Sequence, residues 1–431
     1  MDYVLIKNGI LALDGDHQAA DILVCENKIV DIGTDLARPD LETPVIDAGG
    51  KYVLPGVIDI NRSFYHHFCY DHQRLQRLLQ SQIISGTTFW LDALPAKELS
   101  LTPDVLNMES LSMPDYAFHL LVDAGFCQDP ESFLPLILAR GVTSMVFRWP
   151  LQENIAEKQL STVFEFACQH DLLLVFDLQF LHQYDSTDNY ISSDTITGYH
   201  LSQLNLLAGL VRRYRFRACF LNVHFVEELA ILKELRQSCD VYAELALSVT
   251  LGSKESFKSN YHIAEDQVPC FKPLDPHQLI KEVLENEWCL IGRADMNVFN
   301  EEVLLSGKAY NRPDDYFNSK YFLSVLSSIP LGDSFLTPHQ IAQIIAERPA
   351  RLFNLFPVKG NLRAGGDADL IIWDANYERN LFVSFSQLGA VNQEYKLRGR
   401  TEFIFMKGKI VYNGEQILND PLMAEYLCRH R

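Results

Sequence analysis

Eight short apolar runs occupy the middle of this 431-residue chain, and longer amphipathic stretches separate them. Buried parallel strands have the form of short continuous apolar runs, and amphipathic stretches are typical of helices that cover a sheet. Eight repeats of this alternation predict an α/β fold with a (β/α)₈ barrel. The runs lie at residues 54–60, 87–91, 116–122, 143–147, 172–176, 218–223, 241–246 and 289–291.

Strand patterns are also present at both ends of the chain. A strand pattern at residues 3–9 and a hairpin pattern at 21–32 precede the barrel, while a strand at 368–374 and a hairpin at 401–412 follow it. The second hairpin turns at Lys407-Gly408, and glycine is typical of such turns. We therefore predict that the two ends pair into one small β domain and that the barrel is inserted between them.

Two helices are predicted next to the barrel strands, at residues 71–81 and 337–353. The second begins with Thr337-Pro338, a capping residue followed by a first-turn proline. The last stretch, residues 419–431, has the pattern of a helix or an extended tail.

The composition restricts the partners and the compartment. Lys and Arg total 37 against 56 Asp and Glu, a formal net charge of −19. Nucleic acids and anionic membranes need a basic face, so we expect neither as a partner. There is no signal-peptide pattern and no apolar window long enough for a membrane span. The nine cysteines contain no C-x-x-C pair, which is typical of free thiols in a reducing compartment, and we expect a cytoplasmic protein.

Three segments carry a specific resemblance to a known family. Residues 47–59 (Asp-Ala-Gly-Gly-Lys-Tyr-Val-Leu-Pro-Gly-Val-Ile-Asp), 347–374 and 406–414 resemble segments of the cyclic amidohydrolases. They are similar to that family's entry into the first barrel strand, its return to the β domain and its last hairpin. Residues 424–426 are similar to the tail of dihydropyrimidinases. The resemblance covers essentially the whole chain and points to the dihydropyrimidinase, hydantoinase and dihydroorotase branch.

The resemblance implies a distorted TIM barrel at residues 55–357, a small β-sandwich domain built from 1–54 and 358–415, and a C-terminal tail at 416–431. In active relatives, the barrel mouth holds two divalent metal ions. They polarise a cyclic amide carbonyl and lower the pKa of a bridging water. The ligands are a His-x-His pair, a carbamylated lysine, two further histidines and an aspartate.

The first ligand positions of the family are changed in this chain. The His-x-His positions hold Asn61 and Ser63, with Arg62 between them. Amide and hydroxyl oxygens are poor zinc ligands. The lysine position holds Val146, which cannot form a carbamate, and Arg148 is no substitute because a guanidinium stays protonated.

The remaining ligand positions are better preserved. Asp177 stands at the third position, although a register slip of one would place Phe176 there. His224 matches the fourth position. Asp295 matches the aspartate after the eighth strand, which is also the catalytic base, and an ungapped alignment would place Ala294 there instead.

These positions favour a non-catalytic relative without a metal cofactor. A similar loss is found in collapsin response mediator proteins and inactive dihydroorotase-like subunits, whose folded body is a partner in assemblies. We therefore expect a homo-oligomer, either a dimer or a tetramer, or a complex with an active enzyme. A ligand-binding protein is also open, in which Arg62 and Arg148 hold a small carboxylate and Asn61 and Ser63 complete the pocket.

Two active alternatives stay open. The first is a hydrolase of a cyclic amide C–N bond, of the dihydropyrimidine, hydantoin or dihydroorotate class. It would use one zinc ion on Asp177, His224 and Asp295. The second is a relocated metal site in the loop after the first barrel strand, with His66, His67 and His72 as ligands.

Overall fold

A computed structural model describes residues 2–12, 17–62, 79–80, 82–99, 114–149, 155–178, 193–247, 274–292, 321–385, 391–418 and 425–429. The strands are β1 (Tyr3–Ala12), β2 (His17–Cys25), β3 (Lys28–Gly33), β4 (Val45–Asp47), β5 (Tyr52–Pro55), β6 (Val57–Arg62), β7 (Thr87–Pro95), β8 (Asp115–Leu121), β9 (Ser144–Trp149), β10 (Leu173–Leu178), β11 (Ala218–Val223), β12 (Val241–Ala246), β13 (Cys289–Gly292), β14 (Pro330–Leu331), β15 (Ser334–Phe335), β16 (Leu370–Phe385), β17 (Val391–Met406) and β18 (Lys409–Tyr412). The α-helices are α1 (Ala96–Leu99), α2 (Ala124–Gln128), α3 (Leu134–Ala139), α4 (Glu157–Gln169), α5 (Ser193–Tyr214), α6 (Val226–Arg236), α7 (Pro276–Glu285), α8 (Phe322–Ser328), α9 (Pro338–Ala342) and α10 (Arg348–Leu352). A 3₁₀ turn (Pro130–Phe133) precedes α3, and a π turn (Gln343–Glu347) joins α9 to α10.

The central strands form a nearly closed parallel barrel, which confirms the predicted fold. Strands β6 to β13 are hydrogen-bonded in sequence order as one eight-stranded sheet. Each predicted apolar run overlaps one of these strands, and the first also covers the end of β5. Gly56 joins β5 to β6, and a Cβ there would lie 2.1 Å from the Thr88 hydroxyl. A glycine is therefore needed where the chain enters the barrel.

The two chain ends form a second, mixed sheet, as predicted. Its strand order is β18-β17-β16-β5-β1-β2-β3, with β4 beside β1. The hairpin of β17 and β18 pairs Met406 with Lys409, so it turns at the predicted dipeptide. The domain boundaries after residues 54, 357 and 415 stay a prediction.

Alternating side chains on the barrel strands build two separate cores. Phe89 and Leu91 of β7 belong to the interior cluster, together with Val175 of β10. Trp90 lies between them and packs in the larger cluster that includes the helices. This period of two follows from the pleat of a strand and places apolar side chains on both faces.

The second predicted helix is confirmed, and its middle turn is π-helical. The Thr337 hydroxyl accepts a hydrogen bond from the Gln340 backbone N–H at 3.2 Å, and the Gln340 side chain accepts one from the Thr337 N–H at 2.9 Å. This capping box starts a helical segment that continues through the π turn to Leu352. The predicted helix at 71–81 lies mostly outside the described residues.

The described part of the C-terminal tail is extended and lies against the amino end of β8. Tyr426 pairs in parallel with Tyr116. The Tyr116 N–H donates to the carbonyl of Glu425, and the Leu427 N–H donates to the carbonyl of Tyr116. Within the described part of the chain, no helix is long and apolar enough to cross a membrane.

Candidate functional site

Four polar side chains meet near the carboxyl ends of the barrel strands, at the end of the barrel called the mouth here. They come from four different strands, β6, β10, β11 and β12, and the mouth cluster consists of Asn61, Asp177, Asn222 and Glu244. Barrel enzymes place their sites at this end, because loops and strand ends from the whole barrel converge there. The cluster is therefore the candidate functional site.

Hydrogen bonds from two amides connect the mouth cluster. Asn61 Nδ2 donates to Glu244 Oε2 at 2.9 Å and lies 3.4 Å from Asn222 Oδ1. Asn222 Nδ2 donates to Asp177 Oδ1 at 2.6 Å, and its backbone N–H donates to Glu244 Oε2 at 3.3 Å. The amides thus link the two carboxyl groups into one network.

Burial gives Glu244 an unusual ionisation. Burial, with the nearby negative charges of Asp59 and Asp177, raises its pKa to about 7, although the bonds from the two amides act in the opposite direction. Gly292 on the neighbouring strand makes room for this side chain, because a Cβ there would lie 2.1 Å from the Glu244 carboxyl carbon. Near neutral pH, the mouth therefore holds a carboxyl group that can gain or lose a proton.

Asn222 owes its position to an irregularity in β11. Its φ is 59°, in the left-handed region, and the pairing of β11 with β12 shifts register between Phe220 and Val223. Asparagine tolerates this conformation better than most residues. The irregularity places its side chain between Asp177 and Asn61.

His224 follows β11 directly and is held by a buried carboxylate. Its backbone N–H and that of Phe225 donate to Glu228 Oε2 at 2.7 and 2.9 Å. Glu228 Oε1 lies 2.5 Å from Nε2 of buried His200. Burial alone would raise the pKa of Glu228, but His200 and the contacts at His224 outweigh burial and lower it. The Glu228 carboxylate therefore holds the backbone of the turn on which His224 lies.

The structure brings some of the predicted site residues together. Asn61 and Asp177 belong to the mouth cluster, and His224 directly follows β11, the strand that carries Asn222 of the cluster. Val146 is buried in the apolar interior. Arg148, two residues further along β9, is the strand partner of Asp177.

Other predicted residues lie outside what the structure describes. The backbone of Arg62 ends β6, but its side chain is outside the described part. Ser63 and Asp295 are likewise outside, as are the histidines of the alternative site, His66, His67 and His72. Their roles stay predictions.

The described donor set at the mouth does not fit two metal ions. Asn61, where the resemblance implies a histidine, uses its amide N–H groups as hydrogen-bond donors. Val146, where the resemblance implies the bridging lysine, has an aliphatic side chain with no ligand atom. A binuclear site needs a bridging anion and several imidazole or carboxylate ligands, and among the described residues no three such ligand atoms at the mouth lie within 4.8 Å of one another.

A second acidic cluster lies at the opposite end of the barrel, the floor, where the strands begin. Single carboxylate oxygens of Asp115, Asp367 and Asp369 lie within 4.8 Å of one another, a spacing that could hold a metal ion. Lys359 Nζ already lies 2.9, 2.9 and 2.5 Å from these three groups. Burial would lower the pKa of Lys359, but the carboxylates hold it well above its usual range. The ammonium group takes the place of a cation.

Sequence reasoning missed Glu244 and Asn222. An acidic residue inside the apolar run 241–246 was a usable signal for Glu244, because a buried charge needs a partner. Asn222 gave no comparable signal, since its role depends on the backbone irregularity in β11.

Comparisons with known proteins agree with this architecture. No family model matches the chain. The chain is 24% identical over 460 aligned residues to the D-hydantoinase of Geobacillus stearothermophilus, covering 99% of this chain and 96% of that protein. It is 21% identical to the dihydropyrimidinase-related protein 5 of Mus musculus, covering 95% and 78%. The structure matches a crystal structure of D-hydantoinase with a TM-score of 0.76 and 20% identity, covering 99% of each chain.

The predicted resemblance is thereby confirmed. The relatives and structural neighbours of this chain include D-hydantoinases and dihydropyrimidinases of the amidohydrolase superfamily. The similarity extends over the barrel and the terminal sheet alike, since the coverage is almost complete.

Proposed function

We propose that this protein is a non-catalytic relative of the hydantoinases and dihydropyrimidinases, and that it acts as an assembly partner or a ligand-binding protein. It works without a metal cofactor. As an assembly partner it forms a dimer, a tetramer or a complex with an active enzyme. As a binding protein it holds a small carboxylate near Asn61, Arg62, Ser63 and Arg148.

The observation that carries this proposal is the hydrogen bonding of Asn61. At a position where the family resemblance implies a metal-ligating histidine, this side chain donates to Glu244 Oε2 at 2.9 Å. An amide is a poor zinc ligand, and here it lies between the Glu244 carboxyl group and the amide oxygen of Asn222 instead. Val146 supports the same conclusion, because an aliphatic side chain cannot bridge two ions.

The metal content of the purified protein tests the proposal. Untagged protein is prepared with zinc present and without chelators, and metal per chain is measured by mass spectrometry. We expect less than about 0.1 equivalents of any transition metal per chain. A preformed zinc site binds its ion tightly enough to be filled under these conditions, so it would give a value close to one. Light scattering on the same sample should give the mass of a dimer or tetramer, or of a monomer that needs another protein.

A double variant, Asp177→Ala/His224→Ala, is the matched control for the metal measurement. If the protein has no metal site, the double variant and the parent give the same background. Close to one metal per chain in the parent, lost in the double variant, would overturn the proposal.

One observation favours the active alternative, a hydrolase of a cyclic amide that uses a single zinc ion. Asp177 and His224 lie at the carboxyl ends of the adjacent parallel strands β10 and β11. With Asp295 as third ligand and base, they would supply a carboxylate and imidazole set that suits zinc. Turnover of a dihydropyrimidine, a hydantoin or dihydroorotate, lost in Asp177→Ala, would establish this alternative.

A further inference from the structure

A cavity of about 300 Å³ opens at the barrel floor, away from the mouth cluster. Arg217 lies directly before β11, and Arg348 and Arg351 belong to α10. Arg236 ends α6. All four arginines line the cavity, which is called the arginine pocket here. Its volume is at the lower end of the range for small-ligand sites.

The charges that line the arginine pocket are unbalanced. Four guanidinium groups face two carboxylates among the described lining residues, Glu287 and Glu347. This excess of positive charge occurs in a chain whose formal net charge is −19. A concave surface with one sign of charge concentrates ions of the opposite sign.

Two of the arginines share one carboxylate. Asp240, which does not line the pocket, lies 3.0 Å from Arg217 Nε and 2.5 Å from Arg236 Nη1. Asp171 is 3.9 Å from Arg217 Nη1, but its side chain is 67% exposed, and exposed pairs are weak. One strong negative partner therefore serves two positive groups.

The other two arginines also keep positive charge available. Arg348 Nη1 donates to the backbone carbonyls of Val283 and Cys289 at 2.5 and 3.2 Å, and these acceptors carry no net charge. Arg351 pairs with Glu347 at 2.7 Å, while its side chain remains 57% exposed. A guanidinium stays charged at any physiological pH and binds oxyanions in a bidentate manner.

We propose that the arginine pocket binds a small oxyanion with at least two negative charges, such as a phosphate ester or a polycarboxylate. The four guanidinium groups supply the charge, and the cavity limits the ligand to a small molecule. This site is separate from the proposed function at the mouth and does not depend on it.

Calorimetric titration of the full-length protein tests this proposal. Sodium pyrophosphate and sodium citrate are the two probes, each at constant ionic strength. We expect one saturable site per chain for at least one probe. Pyrophosphate alone would identify a phosphate ligand, citrate alone a carboxylate ligand, and both a general polyanion site. No saturable binding of either probe up to roughly 10 mM, already a very weak affinity, would overturn the proposal.

Two variants that change the charge of the arginine pocket in opposite directions sharpen the test. Arg351→Gln should raise the Kd about tenfold, the effect of one lost charged contact. Glu287→Gln should lower the Kd about threefold, since it removes a negative charge from the pocket lining. Arg212→Gln is the matched control, because this arginine pairs with Glu234 on the helical surface outside the pocket.

Circular dichroism establishes whether each variant is folded. If Arg351→Gln is unfolded, Glu287→Gln and Arg236→Gln decide the result. Binding that is unchanged in every folded pocket variant, or that weakens equally in Arg212→Gln, would overturn the proposal.

Discussion

The two ends of the barrel use buried carboxyl groups differently. At the floor, Asp115 and Asp369 contact the ammonium group of Lys359, so opposite charges are paired. At the mouth, Asp177 and Glu244 accept hydrogen bonds from amides, and Glu244 keeps a pKa of about 7. Charge pairing fixes a structure, whereas a carboxyl near its pKa can respond to a ligand or a proton. The ion pairs around Lys359 therefore have the chemistry of a structural contact, whereas the mouth cluster has the chemistry of a group that can respond to its surroundings.

The floor lysine also joins the two parts of the molecule. Asp115 begins β8 of the barrel, while Asp369 directly precedes β16 of the terminal sheet. Lys407, at the turn before β18, adds a second contact to Asp115 at 2.9 Å. The ion pairs thus connect the barrel to the sheet that the two chain ends form.

The largest expected effect is at the floor. Lys359→Met leaves Asp369 and its neighbours buried without their central cation. We expect it to lower the free energy of unfolding by about 3–5 kcal/mol, the usual cost of breaking a buried ion pair. Urea denaturation measures this loss, with the exposed Lys409→Met as control. A loss no larger than in the control would mean that the ion pairs of Lys359 do not stabilise the floor.

The next effect is at the mouth and depends on pH. The pKa of Glu244 is raised from 4.5 to about 7 in the folded protein, so the folded state binds the proton more tightly than the unfolded state. The free energy of unfolding therefore falls as pH rises from about 4.5 through 7, by about 3 kcal/mol in all. Glu244→Gln removes this loss.

Denaturation at pH 5 and pH 8 measures the effect of Glu244→Gln. We expect the variant to gain stability relative to the parent at the higher pH. The exposed Glu285→Gln should show no such gain. Parallel pH profiles for the parent and Glu244→Gln would contradict the contrast between mouth and floor.

The sequence was sufficient for the barrel because its strands are buried on both faces. A run such as 172–176 is apolar throughout, and β10 covers most of it. The long hairpin of β16 and β17 was predicted only in part. Its distal half carries charged residues such as Glu378 and Lys396, which pair across the strands at 2.9 Å and interrupt the apolar pattern.

The site was harder to predict, because its contacts are distant in the sequence. The family resemblance pointed to Asn61 and Asp177, but a single sequence does not show which side chains they contact. Asn61 and Glu244 are 183 positions apart, and Lys359 and Asp115 are 244 positions apart. Pairings of this kind follow from the closure of the barrel and not from any local pattern.

A smaller dependence of stability on pH, opposite in sign to that of Glu244, is expected from His119, which is buried inside the barrel. His119 Nε2 donates to the Ile60 carbonyl at 3.0 Å. Ser144 Oγ accepts from Arg429 and lies 2.7 Å from His119 Nδ1, so its hydroxyl hydrogen is directed at Nδ1, an arrangement that suits a neutral ring. Burial, together with the positive charge of Arg429, lowers its pKa from 6.5 to about 3. The folded state therefore binds fewer protons, and stability is lost as pH falls from 6.5 towards 3.

At pH 5, His119 should reduce the free energy of unfolding by about 2 kcal/mol relative to pH 8. His119→Gln does not titrate, so the difference between variant and parent should change by this amount between the two pH values. Urea midpoints measure it, and the exposed His277→Gln is the control. An equal pH dependence in parent and His119→Gln would show that the interior histidine is not held neutral.

The smallest effect tests whether the C-terminal tail is part of the floor. The Tyr426 hydroxyl donates to the Arg140 carbonyl at 2.6 Å, and burial raises the pKa of Tyr426 to about 12, so the group stays a donor at neutral pH. Tyr426→Phe should cost about 1 kcal/mol, the usual contribution of one hydrogen bond. Tyr214→Phe is the matched control, because it loses a similar bond to Ser161 on the outer helices.

Limited proteolysis separates the two tyrosine variants. Cleavage near residues 425–429 should become faster in Tyr426→Phe and remain unchanged in Tyr214→Phe, since only the first loosens the tail. Arg429 of the same segment is buried and donates to Ser144 Oγ at 3.0 Å, the hydroxyl that also contacts His119. If the tail is part of the floor, Tyr426→Phe should also weaken the effect of pH on His119. Equal cleavage of the two variants would mean that the Tyr426 hydroxyl does not anchor the tail to the barrel floor.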